Sequence, residues 1–148
     1  MEDPGIALIR YGGSGLLSVK KLLHAGSLTA ELLDDGSLRY IKLGNKEIIR
    51  CLYAALRDRN WATVPFRFLS FDIEEKSDAF TVVFTAEHRN EDIHFVWTGR
   101  IAGNSNGTIK YSMDGQACND FYRNRLGFCM LQPTDLAATL VELSLIHI

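Results

Sequence analysis

Paired turn signals cut this chain into short pieces. Asp35-Gly36, Gly44-Asn45 and Asn104-Ser105-Asn106-Gly107 each lie between runs in which apolar and polar residues alternate. Asx-Gly pairs flanked by such runs are a strong local hairpin signal. A period of two sends successive side chains to opposite faces of a strand, so each run predicts a strand with one buried face. Leu28, Ala30 and Leu32 make one such face. Phe80, Val82, Phe84 and Ala86 make a second, and Ile93, Phe95 and Trp97 a third. Ile109, Tyr111 and Met113 follow, with Asp114-Gly115 read as the end of that strand.

The remaining pieces fit the same pattern. Ile6 to Tyr11 and Leu16 to Leu23 are short apolar stretches split by Gly12-Gly13-Ser14-Gly15. That glycine run has no following Lys-Ser/Thr, so it reads as a turn and not as a phosphate loop. Leu38 to Leu43 alternates again. Pro65 opens a stretch holding Phe66, Phe68, Phe71 and Ile73, which suits a strand start. Glu47 to Arg57 is nearly all apolar, and periodicity alone does not separate a buried strand from a buried helix there. Ile48, Ile49, Cys51 and Tyr53 favour a strand. Eight or nine short strands with regular turns predict an all-β, antiparallel β-sandwich. A mutarotase-like supersandwich is the larger variant of that class. Thr134 to Glu142 is the one stretch with helical character.

At 148 residues the chain has the length of one domain. A net charge of −2 argues against a nucleic-acid-binding face. No apolar run reaches the length of a membrane-spanning helix. Met1-Glu2-Asp3-Pro4-Gly5 is acidic where a signal peptide is basic. Three cysteines without a Cys-x-x-Cys pair suit a reducing cytoplasm, with Cys51 and Cys129 as small core residues. A reactive thiol at Cys129, activated by Arg123 and Arg125, is the sharper alternative.

Three clusters carry potential chemistry. The first is Arg50, Arg57, Asp58, Arg59 and Asn60 with Trp61. An Arg/Asp pair beside an indole ring can hold a carboxylate or sugar hydroxyls, and the bland alternative is an internal Arg57–Asp58 network around a core tryptophan. The second is Arg123, Asn124 and Arg125, directly before the apolar run Phe128 to Leu131. Guanidinium groups beside a core strand call for acids or a bound anion. The run itself reads as a central core strand, with Arg125 bracing the Arg57-Asp58 loop or an interface to a further domain. The third is His88 and His94, which pairing across an Asn90-Glu91 turn would put out of line, His88 facing Ile93. Strand histidines are the simpler reading, and no metal or cofactor is expected. No catalytic triad or nucleophile elbow is present in the sequence. A His/Glu acid–base pair for an epimerase has only His88 and Glu87 to draw on.

Four segments together carry a resemblance. Gly36-Ser37-Leu38-Arg39-Tyr40-Ile41, Glu47-Ile48-Ile49-Arg50, Arg57-Asp58-Arg59-Asn60-Trp61-Ala62-Thr63 and Asn124-Arg125-Leu126-Gly127-Phe128-Cys129 resemble, in order and spacing, the N-terminal β-domain of D-apionate lactonase-like proteins. Family members often carry glycine at Ala62, isoleucine at Leu126 and histidine at Gln132. A glutamine at the last position cannot titrate as histidine does. The resemblance implies a β-sandwich followed by a TIM-type barrel, whose active site lies at the C-terminal ends of the barrel strands. It implies a sugar-acid lactone hydrolase as the parent, with this piece as a non-catalytic accessory domain. The expected partners are the downstream barrel of the same chain and a sugar acid or lactone, with no nucleic acid and no membrane. On this reading residues 1–133 are the sandwich and 134–142 begin a link to the barrel. Leu143-Ser144-Leu145-Ile146-His147-Ile148 matches the translated end of a sequencing-library adapter, and is expected to be vendor sequence.

Overall fold

The computed structural model describes residues 19–142, with side chains from residue 21. The Ile6 to Tyr11 strand, the glycine run after it and the adapter-like hexapeptide lie outside the described residues. Nine strands are present among those described. They are β1 (Val19–Ala25), β2 (Leu28–Leu33), β3 (Leu38–Leu43), β4 (Lys46–Asp58), β5 (Phe66–Glu75), β6 (Phe80–Arg89), β7 (His94–Asn104), β8 (Thr108–Ala117) and β9 (Arg123–Leu131). They form two sheets, β1-β2-β3-β4-β9 and β5-β6-β7-β8, and every pairing is antiparallel. The β-sandwich expected from the alternation is therefore the fold. Among the described residues no helix is long and apolar enough to cross a membrane.

The faces obey the period of two. In β6, Phe80, Val82, Phe84 and Ala86 are buried while Thr81, Val83 and Thr85 are only half-buried. Leu23, Leu32, Leu38 and Leu56 of the five-stranded sheet pack in one core cluster with Val82, Phe84, Trp97 and Ile101 of the other. Phe84 is the hub, its ring lying 5.0 Å from those of Phe68 and Trp97 and 5.5 Å from Phe71. Offset and edge-on contacts at these separations are the favoured aromatic geometries. Glu47 to Arg57, ambiguous by periodicity, lies within β4, the longest strand, which pairs β3 on one side and β9 on the other.

Glycines inside β7 and β8 make room for these rings. A Cβ on Gly99 would lie 2.2 Å from Phe84 Cζ, one on Gly103 2.2 Å from Phe80 Cε1, and one on Gly115 2.3 Å from Phe95 Cζ. Gly115 therefore corrects the sequence reading of Asp114-Gly115. The strand runs on to Ala117, and the glycine is there for the Phe95 ring and not for a turn.

Three further expectations are corrected. Phe128 to Leu131 is not a central strand, because β9 is the edge of its sheet and Met130 and Leu131 are exposed. His88 faces Phe95, not Ile93, and Arg89 faces His94. The turn is longer than Asn90-Glu91, because Asn90 N–H donates to Ile93 O and Asn90 Oδ1 accepts from the N–H groups of Asp92 and Ile93. The helical character of Thr134 to Glu142 reduces to one 3-10 turn, Thr134–Leu136.

Candidate functional site

Three connections meet at one end of the sandwich. They are the β4–β5 loop, the β6–β7 turn and the β8–β9 crossover. Between them lies a cavity of about 350 Å³. The first loop contributes Asp58, Arg59 and Asn60. The turn contributes Asn90, Asp92 and Ile93, and the crossover contributes Asp120, Phe121 and Tyr122.

Short polar side chains hold this end together. Asp58 Oδ1 accepts from the N–H groups of Asn60 (2.8 Å) and Ala62 (3.0 Å). This is the local bonding that Asp favours in turns. Asp58 N–H donates to Ala62 O and Trp61 N–H to Asp58 O, which closes the loop tightly enough to hold Trp61 at φ +67°. Asn124 Nδ2 donates to Arg59 O at 2.6 Å, tying the start of β9 to the β4–β5 loop. Asn119 spans the other gap, its Nδ2 donating to Asp92 O (2.9 Å) and its Oδ1 accepting from His94 N–H (2.8 Å).

Of the residues singled out from the sequence, Asp58 and Asn60 line the cavity and Asn124 braces it. Trp61 follows them in the same loop and is 62% exposed, so it is not a core tryptophan. Arg57 is turned to its own loop, donating to Thr63 Oγ1 (2.8 Å) and Trp61 O (3.3 Å), and it does not pair with Asp58. Arg125 stands opposite Arg57 across the β4–β9 pair. It is exposed and donates to Phe128 O at 2.9 Å within its own strand. The expected brace on the Arg57-Asp58 loop is therefore supplied by Asn124 and not by Arg125. The physical reason is that a short amide reaches the neighbouring backbone, while the longer guanidinium finds a carbonyl on its own strand. Arg50 lies seven residues back along β4, paired with Glu47 and over the Tyr40 ring, and it belongs to no site with the others. Glu47 holds its guanidinium in the charged form, raising its pKa.

The histidines separate into two environments. His88 is buried. Its Nδ1 lies 2.9 Å from Val64 O, and Trp97 Nε1–H donates to its Nε2 at 3.1 Å. The ring is thus a neutral Nδ1–H tautomer, and burial pushes its pKa down. His94 faces outward, with Nε2 3.0 Å from Glu87 Oε1. Arg67 Nε and Nη2 each lie 2.7 Å from Glu87 Oε2, and the Arg67 bond holds the Glu87 carboxyl below its usual range. Adjacent strand residues point to opposite faces, which is why Glu87 pairs with His94 and not with His88.

Cys51 is buried and its thiol is pushed up by that burial, whereas Cys118 is exposed and Cys129 half-buried on the edge strand. Among the described residues no three His, Cys, Asp or Glu side chains are grouped to hold a metal. Asp92, Asn119 and Tyr122 were missed from the sequence. Asp92 is on the β6–β7 turn and the others are on the β8–β9 crossover, Asn119 lying 27 residues further on, and only the Asx-type turn chemistry of Asn90 could have pointed to this end.

Comparison with known proteins bears on the whole domain. No solved structure matches the chain. A D-apionate lactonase of Brucella anthropi is 30% identical over 112 residues, covering 75% of this chain and 18% of that protein. The chain thus spans about a fifth of the length of that relative. The family model for the N-terminal domain of D-apionate lactonase matches residues 8–146. With nearly its full length matched and its strands in two antiparallel sheets, the chain belongs to the D-apionate lactonase N-terminal domain family.

Proposed function

We propose that this chain is the N-terminal accessory β-domain of a sugar-acid lactone hydrolase, and that it docks on a downstream barrel domain of the same polypeptide. The observation that carries the reading is an apolar groove of about 420 Å³ on the five-stranded sheet. Leu43, Ile48, Met130, Leu136, Leu140 and Val141 line it. Leu140 is 96% exposed, and Leu43, Met130 and Val141 are each about half exposed. Clustered apolar surface of this kind marks an interaction face. The groove is built partly from the segment through which the chain leaves β9, so polypeptide continuing from there is delivered to the face it would cover. The matched relative has several times the length of this domain to supply such an occupant. Three free thiols, one of them exposed, suit a reducing compartment such as the cytoplasm.

In this arrangement water attacks the lactone carbonyl at groups on the larger part of the protein, and the sandwich supports that part. The 148-residue chain alone is expected to leave a lactone of D-apionate at its uncatalysed hydrolysis rate, followed by proton release, while a longer product carrying the same domain hydrolyses it. Catalysis by the short chain alone would overturn the accessory role.

A further inference from the structure

We infer that Trp61 is a second anchor for the downstream domain, set at the opposite end of β9 from the apolar groove. Trp61 is 62% exposed and its backbone lies at φ +67°. That region suits glycine, because a Cβ there crowds the following carbonyl. The turn itself requires the conformation. Trp61 N–H donates to Asp58 O and Asp58 N–H to Ala62 O, a tight turn closed by a left-handed residue. Arg57 holds the same turn from β4 through Trp61 O and Thr63 Oγ1. None of these bonds uses the indole, so glycine would serve the turn better. A ring left mostly in water also returns little burial to this domain to offset the strain. Strain kept in place by its surroundings is characteristic of functional positions. Tryptophan and tyrosine are among the side chains that carry most of the binding energy at protein interfaces. Tyr122, just before β9, is a second such ring at this end and is 81% exposed.

The occupant is the downstream polypeptide, so the inference rests on the docking proposed above and extends it. Ten residues line the groove, fewer than the roughly 20–30 that a partner presents at a stable interface. A domain seated there therefore reaches past the groove's rim, and β9 leads from the rim to Trp61. Met130, near the end of β9, lies in the groove. Asn124, near its start, donates to Arg59 O and so ties the strand to the Trp61 loop. The 9 residues of β9 span about 30 Å, a width that one domain covers. Midway along, a Cβ built on Gly127 would meet nothing within 4 Å, so the strand is open to close approach there.

Hydroxyl-radical footprinting, read by peptide mass spectrometry, reports Trp61 and Met130 separately, with buried Trp97 as the internal reference. Both side chains are expected to label in the 148-residue chain and to lose most of that labelling in a longer product carrying the same domain. Equal labelling of Trp61 in the two proteins overturns the inference. If Met130 is then still protected, the groove docks without this anchor; if Met130 is labelled equally too, the docking fails with it. Trp61→Gly supplies the second arm. It is expected to leave the melting temperature of the 148-residue chain unchanged or higher, because it relieves the left-handed backbone. In the longer product it is expected to speed limited proteolysis at residues 134–142 by about tenfold, since cleavage follows the population of the undocked form. A lowered melting temperature would make the ring part of the fold, and an unchanged cleavage rate would leave it no part in docking; either result overturns the inference.

Discussion

Replacing Gly99 with alanine is expected to destabilise the sandwich by about 2–3 kcal/mol, the upper part of the range for forcing extra atoms into a packed core. The added methyl would lie 2.2 Å from Phe84 Cζ and 2.5 Å from Cε2, so the ring has to move. It has nowhere to go. Phe84 is 1% exposed and is bounded by Phe68, Phe71, Trp97 and Tyr111. For a domain of this length the loss corresponds to a fall in melting temperature of roughly 5–10 °C. The combination with Phe84→Leu separates a steric cause from a backbone one. If the clash is responsible, the double variant is less destabilised than the sum of the two single ones, because a smaller side chain accommodates the methyl. Additive losses in urea unfolding would show that the close approach is not what makes glycine necessary.

His88→Ala is expected to cost about 3 kcal/mol or more, because it leaves two buried groups, Val64 O and Trp97 Nε1–H, without their partner. His88→Gln has a donor and an acceptor and is expected to recover part of the loss. The two replacements also share a pH signature. The native ring is neutral and its pKa is lowered, while in the unfolded chain it returns to about 6.5. Below that value the unfolded state takes up a proton that the native state resists, so stability falls with falling pH. The contribution is complete above about pH 6.5 and drains as the pH drops towards the lowered native value. Urea unfolding between about pH 7.5 and 5 is therefore expected to show a smaller loss of stability in His88→Gln than in the unsubstituted chain. An equal loss in both would mean that the ring is not the group responsible.

Both residues show where sequence reading succeeds and where it stops. The strands were legible because alternation is local, and Leu28-Thr29-Ala30-Glu31-Leu32 declares its faces without reference to anything else. The place of a strand within its sheet is not local. Phe128 to Leu131 is apolar enough for a central strand, yet β9 is an edge, because the sheet order depends on a crossover from the other layer. Gly115 reads as a turn until the Phe95 ring is seen over it. His88 reads as an ordinary strand histidine because its partners Val64 and Trp97 come from neighbouring strands and connections.

The candidate site divides in the same way. Residue types in the Arg57 to Trp61 loop correctly marked a structured polar turn. Which side chain would brace it depended on reach across 65 residues of chain, and the amide of Asn124 holds the loop while Arg125 does not. The four segments behind the family resemblance fall on β3, β4, the β4–β5 loop and β9, all in or beside the five-stranded sheet. That sheet also carries the apolar groove.

Hydrogen–deuterium exchange across Gly127 to Val141 tests the docking of this groove most directly. The comparison is between the 148-residue chain and a longer product in which the same domain is followed by its downstream polypeptide. If the groove is an interdomain face, amides around Met130, Leu136 and Leu140 exchange more slowly in the longer product, while those of β6 and β7 in the opposite sheet are unchanged. Equal exchange around the groove in the two proteins would contradict the role proposed for this domain.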